Sequence, residues 1–215
     1  MSALVVFDLD GTLIHGDCGG ALVRRLIARH SWRRIAALLI APVAMPMMMF
    51  PRTRRRGVSA FLWLGTVGVA PALLDATIAR FIADYPLREL PSARAALENE
   101  LAQGHRVVVA TGALRVLAEG FLQRLGVGDR VLVAASRMTR FAGGQIASVQ
   151  CNGHEKLREL QRLGLPTDLL RAYSDTWSDF PLFDAAATPI VINASARDLR
   201  RLQSRYGERL QMLAS

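Results

Sequence analysis

The sequence predicts an α/β fold: a parallel sheet with helices around it, interrupted early by a helical insertion. Three observations lead there. Short apolar runs alternate with segments of helical spacing over residues 86–215, the pattern of a parallel sheet with helical crossovers. Residues 17–85 break that pattern; they are strongly apolar and contain no convincing strand. A chain of 215 residues with 51% apolar side chains can bury one sizeable core and still carry a small insert. That composition also excludes a disordered chain.

The elements follow in order. Residues 3–7, Ala-Leu-Val-Val-Phe, form an unbroken apolar run that ends at Asp8 and reads as a buried parallel strand. The run is too short for a signal peptide, and no basic segment precedes it. Residues 91–104 read as a helix, with Pro91 at its start and Gly104 past its end. Strands are expected at 105–111, 131–135, 169–174 and 189–193, and helices at 114–125, 154–163 and 196–213. Gly143 and Gly144 sit in the middle of an expected β-hairpin over 138–150. The domain reading is therefore a core of residues 1–16 and 86–215, with 17–85 as a helical, basic and apolar cap.

Charge is concentrated in the first quarter of the chain. The net charge is +9, and residues 1–60 supply +6 of it, from nine Arg against Asp8, Asp10 and Asp17. Such a patch attracts polyanions: phosphorylated substrates, anionic lipid or nucleic acid. Aromatic residues are not interleaved with these arginines as a base-stacking surface requires, so nucleic acid is not an expected partner. The mean hydropathy of +0.22 points instead to a membrane contact.

The insertion holds two uncharged stretches, residues 35–51 and 57–74, separated by Arg-Thr-Arg-Arg-Arg at 52–56. Each is close to the length of a membrane span, and each could equally be a cap helix with its apolar face packed inward. Strands on both sides of the insertion belong to one sheet, so it crosses a bilayer twice or not at all. Two crossings would carry the arginines of 52–56 to the far side, against the positive-inside tendency. The reading that remains is monotopic: apolar helices in the interface with Arg at the headgroups. Pro42, Pro46 and Pro51 suit a shallow, broken segment.

Four groups carry chemistry. Asp8 and Asp10 follow the first strand directly, and Gly11 lets the chain turn so that both acids can face one cleft. One acid can attack and bind a metal while the other handles a proton. A calcium loop is excluded, because no Glu stands at the twelfth position. Thr111 and Gly112 end a strand ahead of a helix, where a hydroxyl and backbone N–H groups can cradle phosphate. Lys156 is the one lysine in a chain that uses Arg at its other 26 basic positions, and it follows Asn152, Gly153, His154 and Glu155. Asp175 and Asp179 lie beyond another strand and can complete a magnesium site, or Asp175 or Ser178 can cap the short helix that follows. All four groups fall at the carboxyl ends of expected parallel strands, where open α/β sheets bind ligands. His15, His30, His105 and His154 show no metal-ligand spacing; His105 reads as structural, and His154 could help to position Lys156. Cys18 and Cys151 read as free buried thiols.

With these motifs the sequence resembles the haloacid dehalogenase (HAD) superfamily of phosphatases, in the branch related to phosphoserine phosphatase. Asp8, Asp10, Gly11 and Thr12 match its first motif, Thr111 its second, Lys156 its third, and Asp175 with Asp179 its fourth. Closer still, FLWLGTVG at 61–68, CNGHEK at 151–156 and YSDTWSDFPL at 173–182 resemble the bacterial phosphatidylglycerophosphatase C group. The resemblance implies a Rossmann-like three-layer core and a helical cap. It implies Asp8 as nucleophile, Asp10 as general acid and base, and Lys156 as the charge that offsets the phosphoryl group. It implies Mg²⁺ held by Asp8, by the Asp10 carbonyl and by Asp175, with Asp179 in support, and phosphate held by Thr111 and Gly112. Asp17 stands where the phosphoserine branch has a longer Glu that grips the substrate amine; as an alternative, it caps the first cap helix. The expected substrate is phosphatidylglycerophosphate, at the cytoplasmic face of a bacterial inner membrane. The alternatives are a soluble cytoplasmic phosphatase of a small metabolite such as phosphoserine, and a non-catalytic membrane-binding scaffold.

Overall fold

The computed structural model describes residues 3–213. At its centre lies β1 (Leu4–Phe7), four residues buried on both faces, as its unbroken apolar run requires. Strand β2 (Arg106–Leu114) pairs parallel with one edge of β1, and β5 (Leu169–Ser174) with the other. Beyond β5 lie β6 (Ala186–Ile192) and the short β7 (Gln211–Leu213), both parallel. Beyond β2 lies β3 (Leu132–Phe141), and β4 (Gly144–Val149) closes the order β4-β3-β2-β1-β5-β6-β7. The order reverses at β1, so the crevice at its carboxyl end is the switch point where such sheets bind ligands.

Helices sandwich the sheet. Val6 and Val108 on one face pack in a common core with Leu160 of α7 (His154–Arg162), Leu182 and Phe183 of α8 (Phe180–Ala185), and Leu202 of α9 (Ala196–Tyr206). Residues of opposite parity, Arg171 and Tyr173, meet Glu100 of α5 (Pro91–Ala102) on the other face. The last of the sheet's helices before the hairpin is α6 (Arg115–Arg124). The final helix is shorter than the expected 196–213. It stops at Tyr206, Gly207 turns at φ 54°, and the chain returns to the sheet as β7.

The chain divides into two compact units, Met1–Asp17, Pro86–Ala135 and Cys151–Ser215 in one, Cys18–Tyr85 and Ser136–Gln150 in the other. The second unit holds α1 (Cys18–Ala28), α2 (Ser31–Met49), α3 (Pro51–Thr66) and α4 (Pro71–Asp84). It differs from the expected all-helical 17–85, because the hairpin over 136–150 groups with these helices and not with the core. The physical reason is an edge strand that needs partners. The Ser59 and Thr66 hydroxyls of α3 accept the Ala147 and Gln145 N–H groups of β4, and the Trp63 Nε1–H donates to Ala142 O. The hairpin itself turns at Ala142 and Gly143, both at positive φ, the two-residue turn that matches strand twist.

The prolines act differently from expectation. Pro42 and Pro46 lie inside a continuous 19-residue α2, and the break falls at Phe50, with φ −103° and ψ 129°. Phe50 precedes Pro51, whose ring pushes it out of the helical region, and Pro51 then starts α3. Helices α2 and α3 run antiparallel. The Arg33 guanidinium at the start of α2 donates to Gly65 O and Val67 O at the end of α3, and the Thr53 hydroxyl at the start of α3 donates to Met47 O at the end of α2. Gly57 makes the close approach possible, since a Cβ there would lie 2.6 Å from Ala44 O.

Candidate active site

The carboxyl end of β1 delivers Asp8. Its N–H still pairs with Tyr173 O of β5 at 2.9 Å, so the sheet fixes its backbone. Directly after it the chain winds tightly: the N–H groups of Thr12, Leu13 and Ile14 all point at Leu9 O. Gly11 sits at φ +78°, and a Cβ there would lie 2.2 Å from Asp175 Oδ2. Only glycine meets both demands. Asp175 is thereby set against the loop that carries Asp8 and Asp10.

Lys156 enters from the first turn of α7. It is 2% exposed, and its Nζ lies 2.8 Å from Asp8 Oδ1 and 2.6 Å from Asp179 Oδ2. Ser174, at the end of β5, donates its hydroxyl to the same Asp179 oxygen at 2.7 Å. Asp179 Oδ1 is buried with no hydrogen-bond partner. Two carboxylates thus share one ammonium, and Asp175 adds its charge nearby. Burial pushes the Asp8 carboxyl up; Lys156 pulls it back, Asp179 and Asp175 push it up again, and it ends well above the usual carboxylate range. Asp175 is pushed up to about 6, first by burial and then by Asp179. Burial works against the Lys156 charge, but Asp179 and Asp8 outweigh it and hold the ammonium protonated.

This excess of negative charge fits a divalent cation. The donors are hard carboxylate oxygens, one of them without a partner, which suits Mg²⁺. Among the described residues no group of three or more His, Cys, Asp or Glu side chains forms a ready cage. Mg²⁺ does not need one, since it binds through one or two carboxylates with water and substrate completing the shell.

The other expected residues fall as follows. Asp10 is half-buried in the loop, its backbone bridged to Ile14. Thr111 is buried near the end of β2, and its hydroxyl accepts the Ala113 N–H at 3.1 Å. Strand β2 runs through Gly112 to Leu114, three residues past the expected end. Asp17 is exposed directly ahead of α1, outside the buried carboxylate–lysine cluster. The short turn after β5 is capped by Thr176, whose hydroxyl accepts from Ser178 N, and not by Asp175 or Ser178; this leaves Asp175 for the site. His154 is exposed and edges onto the Phe180 ring. Cys18 and Cys151 are free and buried, and burial pushes the Cys151 thiol up to about 12.

Two features escaped the sequence reading. Ser174 had no role there; the signal was its place at the end of β5, directly before Asp175. Glu100 is buried under α5 and accepts from Arg171, from the Tyr173 hydroxyl at 2.6 Å and from the His105 ring. Tyr173 stacks flat on Phe7 with ring centroids 4.0 Å apart, so this cluster braces the two strands that carry Asp8 and Asp175. His105 is structural, as expected.

A buried aspartate at a strand end, a buried lysine and paired acids at a switch point suit a hydrolase of the phosphatase type. The chain belongs to the haloacid dehalogenase-like hydrolases, whose family pattern it matches over residues 5–184. It is similar to phosphoserine phosphatase SerB1 of Mycobacterium tuberculosis, with 26% identity over 96% of this chain and 70% of that protein. Its fold is shared by a protein of unknown function from Bordetella pertussis Tohama I, at a TM-score of 0.73, 21% identity and 99% coverage of both chains. It is also shared by a phosphoserine phosphohydrolase-like protein from Francisella tularensis, at a TM-score of 0.66, 15% identity and coverage of 93% and 92%.

Proposed function

We propose that the protein is a magnesium-dependent phosphomonoesterase that works through an aspartyl-phosphate on Asp8, and that its substrate is phosphatidylglycerophosphate. The observation that carries the chemistry is Lys156 held between Asp8 and Asp179. The buried ammonium at the Asp8 oxygen works against the burial that favours the protonated acid, and it would offset the charge gathering on the phosphoryl group. An Asp8 oxygen attacks phosphorus, and the ester P–O bond breaks. Asp10 gives its proton to the departing alcohol. Water then attacks the aspartyl-phosphate, Asp10 takes the water's proton, and inorganic phosphate leaves with Asp8 restored. Thr111 and the Gly112 N–H would hold phosphate oxygens. Asp8, the Asp10 carbonyl, Asp175 and Asp179 are the groups that would hold Mg²⁺, which supplies charge neutralisation at the phosphoryl oxygens.

The lipid substrate is supported by the likeness of residues 61–68, 151–156 and 173–182 to the phosphatidylglycerophosphatase C group. It is supported further by the basic, apolar character of residues 18–74. It puts the enzyme at the cytoplasmic face of a bacterial inner membrane. The relatives named for phosphoserine favour a second reading, a soluble phosphatase of a small metabolite with Asp17 at the substrate.

The test is phosphate release with Mg²⁺ from phosphatidylglycerophosphate in mixed micelles, beside phosphoserine and an aryl phosphate, with Asp8→Asn as the blank. A strong lipid preference that Asp8→Asn lowers by about 10⁴-fold or more supports the proposal. Hydrolysis of the soluble esters alone keeps the mechanism and moves the substrate to a small metabolite. No turnover of any of the three overturns the catalytic reading.

A further inference from the structure

Residues 18–74 contain nine Arg and no Asp or Glu. Within this stretch α2 has two unlike faces. Arg33, Ala44 and Met48 face α3, where Ala44 and Met48 line the close approach to Gly57. The opposite side is open. Leu38 is 74% exposed, Leu39 75% and Met49 80%, and Ile35, Val43 and Met45 are exposed with them. At 3.6 residues per turn these six cover an arc of about 160°. Eight of the fourteen exposed large apolar side chains among the described residues lie between Trp32 and Phe50. Single exposed apolar residues are ordinary, but a continuous stripe along a 19-residue helix is not. Basic residues flank it at both ends: Arg34 in the first turn, and Arg52, Arg55 and Arg56, all exposed, in the first turns of α3.

We propose that this face of α2 docks the protein on an anionic phospholipid bilayer, with the helix lying in the plane of the interface. Apolar side chains on one face of a helix, flanked by arginines and free of acids, match acyl chains below and anionic headgroups around them. A second copy of the chain fits poorly, because a two-fold pairing of this surface would set the same arginines against themselves. α2 is long and apolar enough to cross a membrane. Crossing is opposed by α3. Its arginine-rich start is bonded to the end of α2 through Thr53 and Arg54, and its body holds the polar backbone of β4. A spanning α2 would carry both into hydrocarbon. The proposal deepens the lipid reading above by naming the element that meets the bilayer. Its test needs no substrate, so the two can fail separately.

The experiment is co-sedimentation of the full chain with vesicles of phosphatidylcholine, with and without phosphatidylglycerol, beside the double variant L38E/L39E. Melting temperature and the far-ultraviolet circular dichroism spectrum check that the variant is folded, and Met49→Glu serves as a second variant. The expected result is binding that requires phosphatidylglycerol, weakens with salt, and falls at least tenfold in L38E/L39E and measurably in R55E/R56E. Vesicle binding unchanged by L38E/L39E and by Met49→Glu, or no binding to either vesicle, overturns the proposal. A solution dimer that L38E/L39E dissolves, without vesicle binding, assigns the face to a second copy and also overturns it. For the in-plane orientation, Arg56→Cys on sealed vesicles is expected to react with a membrane-impermeant maleimide added outside. Protection from that reagent would mean that α2 crosses.

Discussion

The two units of the molecule depart from ordinary burial in opposite directions. In the unit formed by Met1–Asp17, Pro86–Ala135 and Cys151–Ser215, the departures are buried charges: Asp8, Lys156 and Asp179 at the sheet's carboxyl end, Glu100 on α5 and Glu159 on α7. In the unit formed by Cys18–Tyr85 and Ser136–Gln150, the largest departure is an exposed apolar helix face. Each departure costs stability, and each is held by a well-ordered frame around it. In the first, parallel strands and the Gly11 turn fix the carboxylates. In the second, Arg33 closes the ends of α1 and α3 by donating to Leu26 O, Gly65 O and Val67 O. A guanidinium at two helix C-termini meets orphan carbonyls and the negative end of each dipole. The difference teaches that local rules of burial can be broken in either direction when the surrounding packing holds the exception in place.

The comparison can be broken most sharply at Lys156. Lys156→Met leaves Asp8 and Asp179 buried without their shared cation. Turnover of an aryl phosphate is expected to fall about 10²–10³-fold. Stability in metal-free buffer is expected to drop by about 3–5 kcal/mol, read from urea unfolding. Near-normal turnover would show that the buried charge is structural only.

The matching cut in the second unit is Arg33→Met. Three carbonyls lose a charged donor, and stability is expected to fall by about 1.5–3 kcal/mol. Limited trypsin digestion should then open residues 18–85 first; an unchanged urea midpoint would remove Arg33 from the frame of that unit.

A third test uses pH and metal. The folded state holds protons on Asp8 and Asp175 that the unfolded chain releases near the ordinary carboxylate range. In EDTA the folded state therefore binds more protons than the unfolded one. Stability is expected to fall as pH rises from about 4 through about 6 and beyond. Mg²⁺ should raise the melting temperature more at about pH 8 than at about pH 5, because the cation competes with those protons. Equal shifts at both would place the metal elsewhere.

The smallest effect is expected at Ser174. Ser174→Ala removes one of two donors to Asp179 Oδ2, a loss of about 1 kcal/mol, and kcat/KM should fall by less than tenfold. A collapse as deep as that of Lys156→Met would make Ser174 a principal support of the site.

The site was legible in the sequence because Asp8 and Asp175 directly follow apolar runs that became β1 and β5, and Thr111 lies in a third such run. Lys156 follows no parallel strand, since it sits in α7 beyond the antiparallel β4; it was legible as the one lysine of the chain. The pairing of Lys156 with both Asp8 and Asp179 was not legible, since it joins residues far apart along the chain. The hairpin over 138–150 was visible as a turn signal, but its unit was not. That was decided by Ser59 and Thr66, hydroxyls that look unremarkable on α3 until they meet the edge of β4.

By itself, then, the sequence determined the α/β order, the four acid and lysine positions and the acid-free basic stretch. These depend on local periodicity, on glycine and proline geometry, and on composition. The tertiary structure decided that α2 stays one helix through Pro42 and Pro46, that its apolar side faces outward, and that Asp8 and Asp179 share one ammonium. Those outcomes depend on which surfaces are left over once helices and strands have packed, and on how far burial strengthens charge, and neither quantity is local to the chain.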